Sequence, residues 1–216
     1  MSVRTRLALL ALASIAAAAL LVVMLANRSR DGESGAAAIV EDAQAPRTDF
    51  DGAVRPLTAP RDFALRDQDG RLVRTRDLRG RVVIVSPMYT TCEDTCPQIA
   101  QQIRDALLDI GTAERRQVVA LAISVDPPND TAESARRFLD TRRVRPFLDF
   151  LIGSRAELRP VWRDYGFSEQ TKELEHNAYV VLLDREGRQR VGFPVQHLTP
   201  EAMQHDIGLL LAEERS

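Results

Sequence analysis

The two cysteines of the chain are the residues whose spacing most clearly indicates chemistry. Cys92 and Cys96 lie four residues apart, and Pro97 follows the second of them. In one helical turn, positions i and i+4 bring their Cβ atoms within about 5–6 Å, so the two sulfurs either close a disulfide or bind one metal ion. Two thiolates are soft ligands that select Cu(I) or Zn(II). The spacing therefore indicates a metal site, a redox pair or both.

A histidine would complete such a metal site. Zinc favours four ligands, whereas Cu(I) is satisfied by three. Of the three histidines, His176 precedes the apolar run at 178–183, and a turn there would bring its ring to the sheet edge that carries the cysteines. A surface-loop histidine is the alternative interpretation. His197, before a helix, and His205, within it, are interpreted as surface residues.

The cysteines occupy a predicted junction between a strand and a helix. Residues 82–85 are a short, apolar, β-branched run that is typical of a buried strand. After Pro97, apolar residues recur at helical spacing: Ile99, Ile103, Ala106, Leu107 and Ile110. The carboxyl end of a strand in an α/β sheet faces a crevice, and a helix amino-terminus lowers the pKa of a cysteine. The motif thus lies where a thiolate is favoured.

Strands and helices alternate along most of the chain. A hairpin is predicted at 63–73, and a capping box of Ser154 and Glu157 predicts a helix that ends near Gly166 and is kinked or restarted by Pro160. Further strands are predicted at 117–124, 147–152, 178–183 and 190–195, and further helices from Asp130 or Thr131 and from Thr199. This alternation predicts an α/β sandwich with a mixed central sheet.

The amino-terminal part of the chain is predicted to anchor it in a membrane. Residues 7–26 are uncharged, and as a helix they span about 30 Å, the thickness of a bilayer core. A cleaved signal peptide is the alternative, but its apolar region is usually about 7–15 residues long. We therefore expect a cytoplasmic tail at 1–6, one transmembrane helix at 7–26, a flexible linker at 27–56 and one folded domain at 57–216.

The expected orientation of the anchor places the domain outside the cytoplasm. Two arginines precede the span and two follow it, so their distribution does not decide the orientation. The short amino-terminal flank and the large domain after the span favour an amino-terminus in the cytoplasm. In a bacterium, the domain would then lie in the periplasm, on the outer side of the inner membrane, where disulfides form and persist.

Charge and composition exclude several classes of function. The net charge of the 216 residues is -2 at pH 7, and residues 1–30 hold four arginines and no acidic residue. The rest of the chain is therefore mildly acidic, whereas a nucleic-acid-binding domain is normally strongly basic. No nucleic acid partner is expected. Two cysteines also cannot form a disulfide-rich scaffold or a four-cysteine metal site.

Several motifs together resemble the SCO/SenC family, whose members assemble the copper centre of cytochrome c oxidase. The resemblance covers residues 60–212, nearly the whole expected domain. It is carried by residues 67–70 (DQDG), 78–85 (LRGRVVIV), 89–97 (YTTCEDTCP) and 124–131 (SVDPPNDT), and by His176 before 179–184 (YVVLLD).

The resemblance implies a thioredoxin-like fold behind the membrane anchor. It also implies copper, as Cu(I) or Cu(II), bound by Cys92, Cys96 and His176. The copper would be delivered to the binuclear centre of oxidase subunit II or to a similar copper-enzyme acceptor. On this interpretation the protein is a metallochaperone and not an enzyme.

Thiol chemistry gives a second interpretation. Oxidation of the cysteines to a disulfide would abolish copper binding, and a thiol reductant would restore it. The alternative function is a periplasmic thiol-disulfide oxidoreductase that reduces cysteines of a copper-site acceptor. That activity needs Cys92 and Cys96 but not His176.

The chain departs from the family pattern near each part of the motif. Glu93 stands where Pro is frequent, Glu175 stands where Asp is frequent, and residues 86–88 (SPM) replace a more apolar sequence. The three ligand positions are retained, so these departures bear on partner choice and redox tuning. Asp126 and Asp130 match the family's Asp-Pro segment and are interpreted as a turn residue and a helix cap.

Overall fold

A computed structural model describes residues 49–171 and 179–213 of the chain. The strands are β1 (Ala53–Val54), β2 (Ala64–Arg66), β3 (Leu72–Arg74), β4 (Val82–Met88), β5 (Val118–Ser124), β6 (Asp149–Leu151), β7 (Tyr179–Leu183) and β8 (Gln189–Pro194). The helices are α1 (Thr95–Asp109), α2 (Thr112–Arg115), α3 (Ala132–Thr141), α4 (Arg155–Tyr165) and α5 (Pro200–Ala212). The predicted alternation of strands and helices is confirmed, and β2 and β3 form the predicted hairpin.

Within these ranges, six strands form one mixed sheet in the order β1-β8-β7-β4-β5-β6. The pairs β4–β5 and β5–β6 are parallel, whereas β4–β7, β7–β8 and β1–β8 are antiparallel. All seven residues of β4 are buried, as expected for an apolar strand that is covered on both faces. The predicted mixed sheet is confirmed. β4 lies between β7 and β5, so its carboxyl end at Met88 is flanked by a strand on each side.

Helices cover both faces of the sheet. On one face, α1, α3 and α5 contribute Ile99, Phe138 and Ile207 to the larger hydrophobic cluster. On the other face, α4 contributes Trp162, and the β2–β3 hairpin contributes Leu65. Alternate residues of β4 enter the two clusters, because successive side chains of a strand point to opposite faces. The central strand is therefore fixed from both sides.

The boundaries of α4 confirm its predicted capping signals. Ser154 and Glu157 form a capping box at its start, and Gly166 ends it with a φ of 74°, a left-handed conformation that glycine adopts without strain. The helix continues through Pro160 and does not restart there. Buried residues on either side of this proline hold the helix against the sheet.

The cap of α3 is Thr131. Its hydroxyl accepts a hydrogen bond from the backbone N–H of Ser134 at 3.1 Å, and the Ser134 hydroxyl accepts one from the Thr131 N–H at 2.9 Å. The interpretation of Asp130 as a helix cap is wrong, because its side chain is buried and bonds to other segments of the chain.

Residues 49–54 enter the domain at the β8 edge of the sheet. β1 pairs with β8, and the backbone N–H groups of Asp51 and Gly52 donate to the buried carboxylate of Asp206 at 2.8 and 2.9 Å. Among the residues that the structure describes, no helix is both long and apolar enough to cross a membrane. The predicted tail, the predicted anchor and the linker up to residue 48 lie outside the described ranges.

Candidate functional site

The cysteines lie where β4 passes into α1. β4 ends at Met88, and the backbone N–H of Cys92 donates to the carbonyl of Tyr89 at 3.3 Å, which closes a turn. Cys96 is the second residue of α1 and is fully buried, whereas Cys92 is 6% exposed. Both cysteines are reduced, with no disulfide between them. The predicted junction between strand and helix is confirmed.

Hydrogen bonds around Cys92 favour its thiolate form. The backbone N–H of Cys96, in the first turn of α1, donates to the Cys92 sulfur at 3.2 Å. The pKa of Cys92 is lowered to about 5, first because the Cys96 thiol also donates to its sulfur. Burial opposes this shift in pKa, and the Cys96 N–H and the Tyr89 hydroxyl contribute further to it. The thiolate form of Cys92 is therefore favoured at neutral pH, and a thiolate is able to act as a nucleophile or as a soft metal ligand.

Cys96 retains the proton that the pair shares. The pKa of Cys96 is raised, first because its thiol donates to the Cys92 thiolate and second because the side chain is buried. The pKa of Tyr89 is raised as well, by burial and by its hydrogen bond to Cys92. The cysteine pair thus carries a single negative charge at neutral pH. A metal ion that binds both sulfurs displaces the remaining proton.

A buried carboxyl group links the cysteine loop to the end of β5. Asp130 is 5% exposed. Its Oδ1 accepts hydrogen bonds from the N–H and the hydroxyl of Thr90 at 2.7 and 2.8 Å. Its Oδ2 accepts from the Ser124 hydroxyl at 2.6 Å and from the Asp126 N–H at 3.3 Å. Burial raises the pKa of Asp130. The sequence carries no local signal for this network, because Thr90 lies 40 residues away along the chain.

Asp126 is the turn residue that the sequence predicts. Its carbonyl accepts from the N–H groups of Asn129 and Asp130 at 3.0 and 2.9 Å, and its carboxylate accepts from the Asn129 side-chain amide at 2.8 Å. Its negative charge also raises the pKa of Tyr89. The turn therefore lies near the cysteine loop and contributes to the electrostatics of the site.

His176, the predicted third ligand, lies outside the described residues, as does Glu175. The chain on both sides of that segment is hydrogen-bonded to the cysteine edge of the sheet, the end at which β4 passes into the loop that carries Cys92. Before it, the Gln170 N–H donates to the carbonyl of Val125 at 2.8 Å. After it, the Tyr179 carbonyl accepts from the hydroxyl of Ser86, in β4, at 3.1 Å.

The other histidines lie away from the cysteines. His197 and His205 are exposed, as the sequence predicts. His205 Nδ1 lies 3.4 Å from a carboxylate oxygen of Asp51 and 3.1 Å from one of Asp206. These two contacts belong to the set of interactions that holds residues 49–54 against α5.

Comparison with known sequences decides the family. The sequence profile of SCO1/SenC matches residues 54–212. The chain belongs to the SCO1/SenC family. The SCO2-like protein RP587 of Rickettsia prowazekii is 23% identical over 151 residues, which cover 66% of this chain and 72% of that protein. The mitochondrial SCO1 homolog 1 of Arabidopsis thaliana is 31% identical over 119 residues, which cover 55% of this chain and 35% of that protein.

Solved structures of Sco proteins share the fold. ScoI of Bradyrhizobium japonicum, solved with copper bound, is 31% identical with a TM-score of 0.62 over 71% of this chain and 100% of its own. Apo Sco1 of Thermus thermophilus is 26% identical with a TM-score of 0.64 over 77% and 99% of the two chains. BsSco, in which a disulfide switch was identified, has a TM-score of 0.64 at 23% identity over 75% and 99%. The fold is thus the thioredoxin-like α/β arrangement that the resemblance implies, and the family takes part in copper handling and cytochrome c oxidase assembly.

Proposed function

We propose that this Sco-family protein binds copper through Cys92, Cys96 and His176 and delivers it to the binuclear copper site of cytochrome c oxidase subunit II. The observation that carries the proposal is the buried cysteine pair, in which the first turn of α1 helps to hold Cys92 as a thiolate. The copper-bound ScoI of B. japonicum supports copper as the cargo. BsSco, described as a member of a family of oxidase assembly proteins, supports oxidase as the destination.

The cysteine pair has the chemistry of a Cu(I) site. Thiolates are soft ligands that select Cu(I) or Zn(II), and a set of three ligands suits Cu(I), because zinc favours four. Cys92 is already deprotonated at neutral pH, whereas Cys96 still holds its proton. Binding of one copper ion to both sulfurs therefore releases about one proton. Copper binding should consequently tighten as the pH rises.

The chain allows His176 to reach the cysteine edge. Tyr179, three residues after it, is bonded to Ser86 near the end of β4. Three extended residues span at most about 11 Å, so the length of the chain limits how far His176 can lie from Tyr179, which is fixed near the site. A neutral imidazole is a suitable third ligand for copper. The position of Tyr179 thus supports the three-ligand proposal.

Thiol exchange would couple copper release to redox chemistry. The two cysteines would form a disulfide and give two electrons to a disulfide of the acceptor, which becomes two thiols. Copper then loses both sulfur ligands here and gains two on the acceptor. The same step without copper defines the second candidate function, a periplasmic thiol-disulfide oxidoreductase. The low pKa of Cys92 beside the buried, protonated Cys96 favours that candidate, because it separates an attacking thiolate from a resolving thiol.

We further propose that residues 7–26 anchor the protein in the bacterial inner membrane with the domain in the periplasm. The uncharged run in the sequence supports this location. Protease added to intact spheroplasts should degrade the domain. Protection of the domain until the cells are lysed would contradict the proposed orientation.

A Cu(I) titration tests the ligand set. The reduced full-length protein is titrated against a bathocuproine-type competitor, and the wild type is expected to bind one copper ion tightly. Cys92→Ala should abolish tight binding. His176→Ala should weaken copper binding by at least about tenfold, because loss of a residue that merely hydrogen-bonds to a metal ligand already costs about that much. His205→Ala, at an exposed histidine on α5, is the matched control and should bind like the wild type. Unchanged affinity in His176→Ala would contradict the three-ligand proposal.

Complementation distinguishes delivery of copper from reduction of thiols. In cells that lack the protein, copper delivery requires all three ligands, so His176→Ala should leave oxidase assembly defective. Full assembly with His176→Ala, but not with Cys92→Ala, would favour the oxidoreductase instead.

A further inference from the structure

The hydrogen bonds of Asp130 give it a function beyond those of the metal ligands. We infer that Asp130 is a positioning residue that holds the loop before Cys92 against the end of β5 and thereby sets the arrangement of the two sulfurs. This inference deepens the proposed copper function. It rests on that function only in part, because the same sulfurs can form a disulfide whether or not copper binds.

Donors from two separate segments satisfy the carboxyl group of Asp130. Thr90, in the cysteine loop, donates its N–H and its hydroxyl to Oδ1. Ser124, the last residue of β5, donates its hydroxyl to Oδ2, and the Asp126 N–H in the following turn donates to the same oxygen. Each oxygen takes two hydrogen bonds, which is the full acceptor capacity of a carboxylate. One buried group therefore fixes the cysteine loop relative to the end of β5 and the turn that follows it.

Thr90 transmits this constraint to Cys92. It lies within the turn that the Cys92 N–H closes on the carbonyl of Tyr89. Cys96 is held independently, because it belongs to α1, whose Ile99 is fully buried in the core. Displacement of Thr90 would therefore move one sulfur relative to the other. Both a disulfide, with its S–S bond of about 2.05 Å, and a shared metal ion depend on that relation.

Two ordinary structural roles do not account for Asp130. α3 is capped by Thr131, together with Ser134. Among the ion pairs of the described residues, none involves Asp130, in contrast to Asp184 at the opposite end of the sheet, which pairs with Arg188 and Arg190. Neither role explains the four hydrogen bonds of Asp130, which hold the cysteine loop.

The test compares Asp130→Asn in the full-length protein with a matched buried carboxyl group. Asp184 is 1% exposed and also accepts four hydrogen bonds, but in the turn between β7 and β8. Asp130→Asn keeps the shape of the side chain and leaves one accepting oxygen instead of two. Because the network is present when both cysteines are reduced, its loss should shift the dithiol-disulfide equilibrium toward the disulfide by about tenfold, which lowers the midpoint potential by about 30 mV. Cu(I) affinity should fall by a similar factor, and Asp184→Asn should change neither quantity.

The midpoint potential is measured without metal, so the outcome separates the two proposals. A folded Asp130→Asn variant with the potential and the copper affinity of the wild type would overturn the inference. If the wild type binds no copper, the proposed function fails, while the potential still decides on Asp130. If Asp130→Asn does not fold, Thr90→Val replaces it, because it removes one hydroxyl donor and keeps the N–H. That variant should lower the potential by a smaller amount, and an unchanged potential would then overturn the inference.

Discussion

The two ends of the central sheet each contain a buried aspartate that accepts four hydrogen bonds, yet the two groups are satisfied differently. Asp184 accepts from Glu186, Arg188 and Arg190, all within its own β7–β8 hairpin, and two of these residues supply a positive charge. Asp130 accepts from two segments that lie far apart in the sequence, the cysteine loop at Thr90 and the end of β5 at Ser124 and Asp126, and no cation of the described residues pairs with it.

The two aspartates therefore act differently: Asp184 contributes to stability, and Asp130 positions the reactive part of the chain. A carboxylate that closes its own turn and neutralises arginines contributes to folding and constrains only its neighbours. A carboxylate that joins distant segments constrains their relative positions, and at the cysteine end one of those segments carries a reactive thiolate. We therefore expect variants at the Asp184 end to change the free energy of unfolding, and variants at the cysteine end to change reactivity.

The largest expected effect is that of Cys96→Ala on the reactivity of Cys92. This variant removes the strongest hydrogen bond to the Cys92 sulfur, so the pKa of Cys92 should rise from about 5 toward its ordinary value or beyond. A higher pKa keeps the proton on the thiol and lowers the thiolate fraction at neutral pH. Alkylation of wild-type Cys92 by iodoacetamide should reach its plateau by about pH 7, whereas the rate in Cys96→Ala should still rise at about pH 9. Superimposable pH profiles would refute the assignment of this hydrogen bond.

Next in size is the loss of stability in Asp184→Ala. Removal of the carboxylate leaves two partly buried turn N–H groups and two arginine side chains without their acceptor, and we expect the free energy of unfolding to fall by about 3 kcal/mol. Urea unfolding measures this change. The alkylation profile of Cys92 should stay that of the wild type. A shifted profile would show that the two ends of the sheet are coupled.

A smaller effect is expected for Tyr89→Phe. The Tyr89 hydroxyl donates to Cys92 and is only one of several groups that lower its pKa. Its removal should raise the pKa of Cys92 by less than Cys96→Ala does, with a cost to the thiolate of about 1 kcal/mol. The same alkylation profile detects the shift, and thermal unfolding should be nearly unchanged. A rise as large as that of Cys96→Ala would reverse the order of the two donors.

The smallest effect is expected for Tyr165→Phe, at the Asp184 end. Tyr165 lines a crevice beside Arg79 and Gly187, and its hydroxyl is buried without a hydrogen-bond partner among the described residues. Removal of an unsatisfied buried hydroxyl should leave stability unchanged or raise it by up to about 1 kcal/mol. Urea unfolding decides between a gain and a loss. A clear loss of stability would mean that the hydroxyl is bonded in solution.

Local sequence signals predicted most of the elements correctly. The capping box at Ser154 and the apolar run of β4 act over a few residues, so spacing alone reveals them. The position of Cys92 and Cys96 at a strand-to-helix junction follows from the same signals.

The sequence could not reveal features that depend on distant segments. The function of Asp130 was missed because its donors come from Thr90 and Ser124, which only the folded sheet brings together. The opposite shifts in the pKa of Cys92 and Cys96 depend on which sulfur accepts from the other and on how deeply each is buried. The ligand role of His176 stays a prediction.

The position of β4 in the sheet has a consequence for the newly made chain. Its two neighbours are β5, which begins at Val118, and β7, which begins at Tyr179. A chain made from its amino terminus therefore exposes Cys92 and Cys96 before either neighbour exists, and pairings between distant segments form late. During this interval neither neighbouring strand shields the thiols from oxidants or from unwanted metals. The yield of reduced protein should thus depend on how quickly the rest of the chain follows, or on a reductant that protects the nascent pair.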